Sequence, residues 1–191
     1  MTYPDWFSQT AKPNFEKFLP EFKDRKSLKF LQLGAYTGDA SVWICDNIFS
    51  DTFHHMLFDI DTWRGSDEAA HKDMDFNDVY DYYISRVRPK HYVRPYRLHT
   101  LDFLTSEKCK FGPYDFIYID ADHTTVGVLM DAMLSWPQLK SGGILAFDDY
   151  KWGFNLPVSQ RPQLGIDLFL ERHEGKYDLL EMDQQVWIKK K

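Results

Sequence analysis

Cysteine is nearly absent: Cys45 and Cys109 are the only two, without C-x-x-C spacing, so neither a disulfide framework nor a thiolate metal site is encoded. No apolar run is long enough for a membrane span or a leader segment, and a reducing, soluble, cytoplasmic setting without membrane contact is expected. Positive charge is also short. The 23 Lys and Arg stand against 29 Asp and Glu, a net charge of −6, so phosphate-backbone attraction supplies no general affinity for nucleic acid. There is no internal repeat and no low-complexity segment, and G-x-G-x-x-G is missing, which removes the usual signal for a dinucleotide pyrophosphate. What remains is 191 residues, 43% hydrophobic and 17% aromatic, enough for one domain with a sizeable core.

The order of elements is legible from periodicity. Ser27 to Leu33 reads as a strand closed by Gly34, and Val42, Trp43, Cys45 and Ile48 then recur at helical spacing from Asp39 to Phe49. His55 to Asp61 is a second strand, followed by a helix near Phe76 to Val87 and a weaker strand over Val93 to Leu101. The clearest strands, Asp115 to Ile119 and Gly143 to Phe147, are short and nearly all apolar, as in a parallel sheet covered on both faces. A helix from Thr125 to Trp136 joins them, ended by Pro137 and Gly142-Gly143. Pro162 to His173 predicts a last helix before strands at Tyr177 to Met182 and Gln185 to Lys189. Alternating strands and helices imply a doubly wound α/β fold, whose ligands bind beyond the carboxyl ends of the strands.

The residues after each strand are therefore the informative ones. Gln32-Leu33-Gly34-Ala35-Tyr36-Thr37-Gly38 leaves a strand for a helix with glycines four apart, which permits a tight turn and close approach of a ligand. An adenosyl group suits this turn better than a pyrophosphate. Asp61 ends the second strand, where a carboxylate can accept ribose hydroxyls, and strand alternation puts Asp59 on the same face. A helix cap or a solvated strand end is the plainer reading of either acid.

The segments FLQLGAYTGDAS, DIDTWRGSDE, YDFIYIDADH and SGGILAFDDY occur in an order that resembles class I S-adenosylmethionine-dependent methyltransferases. They are most similar to the small metal-dependent sugar O-methyltransferases related to those acting on macrolide and aminocoumarin antibiotics. The resemblance implies a Rossmann-like domain over residues 27–191, after an N-terminal helical or lid segment at 1–26. Its sheet would have seven mostly parallel strands in the order 3-2-1-4-5-7-6, the last antiparallel, with helices on both faces. It implies further that Gln32, Gly34, Ala35, Tyr36 and Gly38 line the methionine part of the cofactor. Asp61, Thr62 and Trp63 would hold its ribose, and Thr100 and Asp102 would lie by the adenine, with Asp120 also at the cofactor. Thr100 and Asp102 could equally begin the next helix. Two departures stand out. Gln32 occupies a position where that fold usually has Glu or Asp, and the segment before Ser27 is short for a lid.

In the implied strand order Asp120 and Asp148 end neighbouring strands, about 4.8 Å apart, with Asp149 beside them. Three carboxylates that close repel one another unless a cation sits among them, and an all-oxygen set suits Mg²⁺. The D-x-D-H and D-D-Y segments have the separation of the sugar O-methyltransferases, in which a histidine at the place of His123 is the proposed base; Asp122 is the second candidate. On the residues alone, Asp122 could instead cap the following helix, His123 could be structural, and Asp148 and Asp149 could be solvated. The basic run Arg86, Arg88, Lys90, Arg94 and Arg97 reads as an anion contact or a solvated loop, whereas Trp152 and Phe154 are placed to shape an acceptor pocket. The expected function is S-adenosylmethionine-dependent, Mg²⁺-dependent O-methylation of a small molecule, a sugar or nucleotide sugar, with homo-oligomerisation left open. Catechol-type methylation would place a Lys where His123 stands. A binding protein that lost catalysis is the third reading. No [DN]PP[YFW] tetrapeptide or Pro-Cys dipeptide favours a nucleic-acid substrate.

Overall fold

A computed structural model describes residues 3–50, 54–65, 71–72, 74–107 and 111–191. Its sheet has seven strands: β1 (Lys29–Leu33), β2 (Met56–Asp61), β3 (Val93–Arg97), β4 (Tyr114–Ile119), β5 (Leu139–Phe147), β6 (Tyr177–Met182) and β7 (Val186–Lys190). They lie in the order β3-β2-β1-β4-β5-β7-β6, parallel except for β7, which runs antiparallel to β5 and β6. This is the doubly wound, Rossmann-like architecture that the sequence implies. Among the described residues the α-helices are α1 (Lys12–Phe18), α2 (Asp39–Asn47), α3 (Phe76–Val87), α4 (Thr100–Leu104), α5 (Thr125–Ser135) and α6 (Gln163–Arg172). Among the described residues, no helix is long and apolar enough to cross a membrane.

Alternation along the buried strands divides the core in two. Phe30, Leu57, Phe116, Tyr118, Ala146 and Trp187 meet α1, α2 and α3 on one face. Leu31, Leu33, Ile60, Ile117, Leu145 and Phe147 meet α4, α5 and α6 on the other. The N-terminal helices belong to the first face. Phe15 on α1 is fully buried, its ring 5.0 to 5.8 Å from those of Phe7, Trp43, Phe116, Tyr118 and Trp187. Cys45 is buried within the same face, where desolvation pushes its thiol up to about 12. Cys109 lies outside the described residues.

Two boundaries differ from the periodicity. The third strand stops at Arg97, the partner of Asp61, and the His99 ring accepts the Leu101 amide to start α4 at Thr100. A histidine is not a usual cap, so the pattern runs on into the helix. The fifth strand starts at Leu139, four residues early, with a register irregularity between Tyr114 and Phe116 of its partner.

Candidate active site

Parallel register sets the row of site residues. Leu33 pairs with both Ile60 and Ile119, and Ile119 pairs with Phe147, so the next residues, Gly34, Asp61, Asp120 and Asp148, line up along the carboxyl edge. The ladder continues one step into them: Gly34 N–H donates to Ile60 (2.8 Å), Asp120 N–H to Leu33 (2.8 Å) and Asp148 N–H to Ile119 (2.9 Å). Three side-chain-bearing residues of this edge, Tyr36, Trp63 and Asp149, have positive φ (44°, 44° and 57°). Such backbone strain gathers at functional sites because the fold must over-determine it.

The glycines of the first turn are required by packing. A Cβ on Gly34 (φ +86°) would sit 1.8 Å from the Asp120 carbonyl oxygen, and one on Gly38 (φ +81°) would sit 2.8 Å from the Tyr83 ring. Sequence reasoning reserves the space at Gly38 for a ligand; in the structure that space belongs to Tyr83 and Val87 of α3. Gln32 is 3% exposed and donates to the Gly34 carbonyl, so it stiffens the turn from below and does not line it. Asp61 is tied to the same turn: Oδ2 accepts the Ala35 and Tyr36 amides, both at 2.9 Å, and Oδ1 accepts the Trp63 amide at 2.7 Å. A carboxylate offers about four lone-pair directions, so one is left for a hydroxyl. Trp63 is 1% exposed and donates from Nε1 to the Tyr36 carbonyl, which makes its side chain a buttress. Thr62 Oγ1 accepts the Arg64 amide. Thr100 is buried at the start of α4, and Asp102 is exposed on its first turn.

Asp59 is neither a cap nor a solvated strand end. It is fully buried, and its Oδ2 accepts hydroxyls from Ser41 (2.7 Å) and Tyr83 (2.8 Å). Burial pushes its carboxyl up to about 6, against the lowering effect of those two donors. The basic run is partly solvated and partly tied down: Arg88, Arg94 and Arg97 are exposed, while Arg86 pairs with Asp39, Lys90 pairs with Asp46, Arg94 donates to the His91 and Val93 carbonyls, and Arg97 holds the Thr62 and Trp63 carbonyls and Asn77.

At the other end of the row, ligand-capable atoms of Asp120, His123 and Asp149 all lie within 4.8 Å of one another. His123 Nε2 is 3.1 Å from Asp149 Oδ2 and 3.8 Å from Asp120 Oδ1, and the Trp152 ring packs on the imidazole at 5.0 Å. Desolvation, then the nearby Asp148 charge, holds the Asp120 carboxyl well above the usual carboxylate range. The expected trio of Asp120, Asp148 and Asp149 is not the one brought together here. Asp148 Oδ2 accepts the Tyr118 hydroxyl and its Oδ1 the Asp149 amide (2.8 Å), while its charge still acts on Asp120. Asp122 closes a turn just before the cap of α5, which is Thr124: Asp122 Oδ1 accepts the Thr124 amide at 2.8 Å, and its carboxylate lies where a Cβ on Gly127 would be, 2.1 Å away. Thr124 Oγ1 accepts Gly127 N–H and so caps the first turn of α5.

A glycine turn after β1, an acid after β2 and an acidic cluster after β4 and β5, on a sheet of this order, are matched by one family model, described as a methyltransferase domain, over residues 31–150. The chain belongs to this methyltransferase family. No curated protein matches it. Among solved structures, this methyltransferase is similar to the O-methyltransferase TomG from Streptomyces achromogenes, involved in tomaymycin synthesis and solved with SAM. That match has 16% identity and a TM-score of 0.66 over 93% of this chain and 79% of that one. An O-methyltransferase from Bacillus cereus, solved with SAH, is 18% identical with a TM-score of 0.66 over 94% and 81%. MycE, a methyltransferase of the mycinamycin pathway solved with Mg, SAH and mycinamycin VI, is 17% identical with a TM-score of 0.62, over all of this chain and 50% of that one. At such identities the likeness is one of fold, and the fold agrees with the family.

Sequence reading overlooks two buried polar clusters of the methyltransferase. One is Gln32, Ser41, Asp59 and Tyr83 under the first turn; the other is Tyr118 and Gln185 behind Asp148. Their only signal is a polar residue in an otherwise apolar run, as with Asp59 in MLFDID.

Proposed function

We propose that this methyltransferase moves the sulfonium methyl of S-adenosylmethionine to a hydroxyl of a small molecule, a sugar or nucleotide sugar, assisted by a divalent cation of the Mg²⁺ kind. The observation that carries this reading is the convergence of Asp120, His123 and Asp149 next to the cofactor turn. Two carboxylates in reach of each other fit Mg²⁺, which is commonly held by one or two protein carboxylates and otherwise by water and substrate oxygens. Asp120 and Asp149 would hold it. Burial, then the charges of Asp148 and Asp149, hold the Asp120 carboxyl up, and such an ion would relieve the repulsive part.

When bound, the cation would acidify the acceptor hydroxyl. The remaining work falls to the chain itself. The acceptor oxygen attacks the methyl carbon, a C–O bond forms as the C–S bond breaks, S-adenosylhomocysteine leaves, and the hydroxyl proton goes to His123 Nε2. Asp149 and Asp120 flank that nitrogen and stabilise the imidazolium. Trp152 fixes the ring and, with Phe154, offers aromatic surface to a sugar. At the cofactor, Asp61 keeps the turn in register and presents its remaining lone pair to the ribose, near Ala35, Tyr36 and Thr62. Tyr3 and Trp6, whose rings lie 6.3 and 4.8 Å from that of Tyr36, form the cover over this turn that the 1–26 segment supplies.

Calorimetry with S-adenosylhomocysteine and methyl transfer from labelled S-adenosylmethionine to a panel of sugars and nucleotide sugars, with and without Mg²⁺, test the reading. Cofactor binding that is independent of chelator, with transfer that chelator abolishes, is the expected pattern. Transfer undiminished by excess chelator would overturn the cation's part, and absence of cofactor binding would overturn the whole.

A further inference from the structure

We infer that the outer face of α5 and α6 is the contact of a two-fold dimer, covered in solution by the same face of a second copy of this chain. This contact is independent of the methyl-transfer reading.

α5 lacks the polar side that a surface helix turns to water. Within its sequence, TVGVLMDAMLS, the one charged side chain is Asp131, and that is 1% exposed. Val126, Met130 and Met133, which share one stripe of the helix, are instead 62%, 40% and 40% exposed. Beside them on α6 stand Leu164 and Leu168, one turn apart and exposed to 40% and 41%. The two helices are pressed together, since a Cβ on Gly165 of α6 would sit 2.3 Å from the Thr125 carbonyl oxygen and 2.6 Å from Val128. A helix that is apolar on its outer side as well as its inner one is built for a second neighbour.

Size, charge and symmetry point to a second copy as that neighbour. Five Val, Met and Leu side chains left this open amount to a few hundred Å², the scale at which exposed patches mark interaction sites. A standard interface covers about 800 Å² on each partner, an apolar centre within a polar rim, and this row supplies the centre. Two chains of net charge −6 repel, so the face they share must itself be free of net charge. The row on α6 ends in an adjacent acid and base, Glu171 and Arg172, both exposed and neither in an ion pair among the described residues. In a two-fold contact each residue meets its reciprocal, so Glu171 faces Arg172 of the partner subunit and Arg172 faces the partner's Glu171. Crossing antiparallel at Met130, α5 sets Val126 against the partner's Met133. Val126 lies three residues past His123, so the contact abuts the acceptor half of the site, while Tyr3 and Trp6 cover the cofactor turn on the opposite side of the sheet.

The test is sedimentation equilibrium of the full chain, with circular dichroism as a check that each variant is folded. The native protein should sediment at twice 22.7 kDa at micromolar concentration. Met130→Glu puts two like charges at the centre of the contact and should weaken association at least about a hundredfold. Should that variant not fold, Leu168→Glu, the same charge on α6, decides in its place. Glu171→Arg and Arg172→Glu should each weaken the dimer about tenfold by setting like charges opposite each other, and the double swap should return to within about threefold of the native affinity. A native chain that stays monomeric up to the highest soluble concentration would overturn the inference, and the face would then serve a different partner. A dimer indifferent to the Glu substitutions, or a double swap no better than the single ones, would overturn it as well.

Discussion

The two halves of the carboxyl edge handle their carboxylates in opposite ways. At the ends of β1 and β2, Asp61 is held by geometry: three backbone amides point at it, and its nearest acid, Asp59, lies buried beneath the turn with two hydroxyls on it. At the ends of β4 and β5, Asp120 and Asp149 face each other across an imidazole, and Asp120 is held well above its ordinary range by burial and by Asp148. The first half is finished as a rigid cradle. The second gathers two carboxylates whose charge the proposed cation would balance. Under the proposed function this asymmetry suits the two partners, because a rigid half orients and a charged half activates.

The halves press together most tightly where Gly34 meets Asp120, and disturbing that contact should have the largest effect. A methyl group at Gly34 would sit 1.8 Å from the Asp120 carbonyl oxygen, in a backbone region that disfavours a side chain. Gly34→Ala should cost more than about 4 kcal/mol in denaturant unfolding, through clash and backbone strain together. A loss under about 1 kcal/mol would mean that the halves are not pressed together as described.

The second effect separates the halves. Asp149→Asn should lower turnover by about 10²- to 10³-fold through the acceptor alone, roughly 3 to 4 kcal/mol, and leave S-adenosylhomocysteine affinity unchanged. Calorimetry beside single-turnover transfer reads both quantities; a parallel loss of cofactor affinity would show that the division is false. His123→Ala should share the pattern.

Beneath the cradle the pH dependence of stability gives a third measurement. Asp59 titrates near 3.8 when unfolded and at about 6 when folded, so the native state binds the extra proton between those values. Its contribution is therefore fully present below pH 4 and is lost as pH rises to about 6, a span worth roughly 3 kcal/mol. Asp59→Asn should remove that part of the slope, read as the difference between the two proteins in chemical unfolding from pH 4 to 7. An unchanged slope would place the folded carboxyl near its ordinary range.

What could be read in the sequence follows the same division. The strands, the glycine turn and the acids after each strand were legible because apolar runs and strand-end placement are local signals, whereas the order of the strands came from the resemblance to a known family. The side-chain assignment inside the cluster was not. Asp148 and Asp149 are adjacent and chemically identical, and the contacts that distinguish them, Tyr118 on the first and His123 on the second, come from residues distant in sequence. Asp122 and Asp120 likewise differ by the turn into α5, where the Thr124 amide engages Asp122. Gly38 was legible as necessary and misread as to cause, since Tyr83 arrives from a helix whose packing no local pattern announces.

The smallest effect is also the sharpest contrast between the halves, because it asks for opposite signs from the same kind of change. Asp61→Ala removes the acceptor of the Ala35, Tyr36 and Trp63 amides, and two of the residues it holds, Tyr36 and Trp63, have positive φ. Those amides can turn to water only if the turn opens, so the variant should lose about 1 to 3 kcal/mol of stability without any ligand, and a similar amount of cofactor affinity. Asp120→Asn removes a charge that its neighbours already oppose. With chelator present it should leave stability unchanged or raise it by up to about 1 kcal/mol, because the relief of repulsion outweighs the weakened contact with His123. Thermal unfolding of both variants in chelator, each against the native protein, settles the matter. Two losses of equal size would mean that the Asp120 end is as internally satisfied as the Asp61 end, and that no cation is needed to complete it.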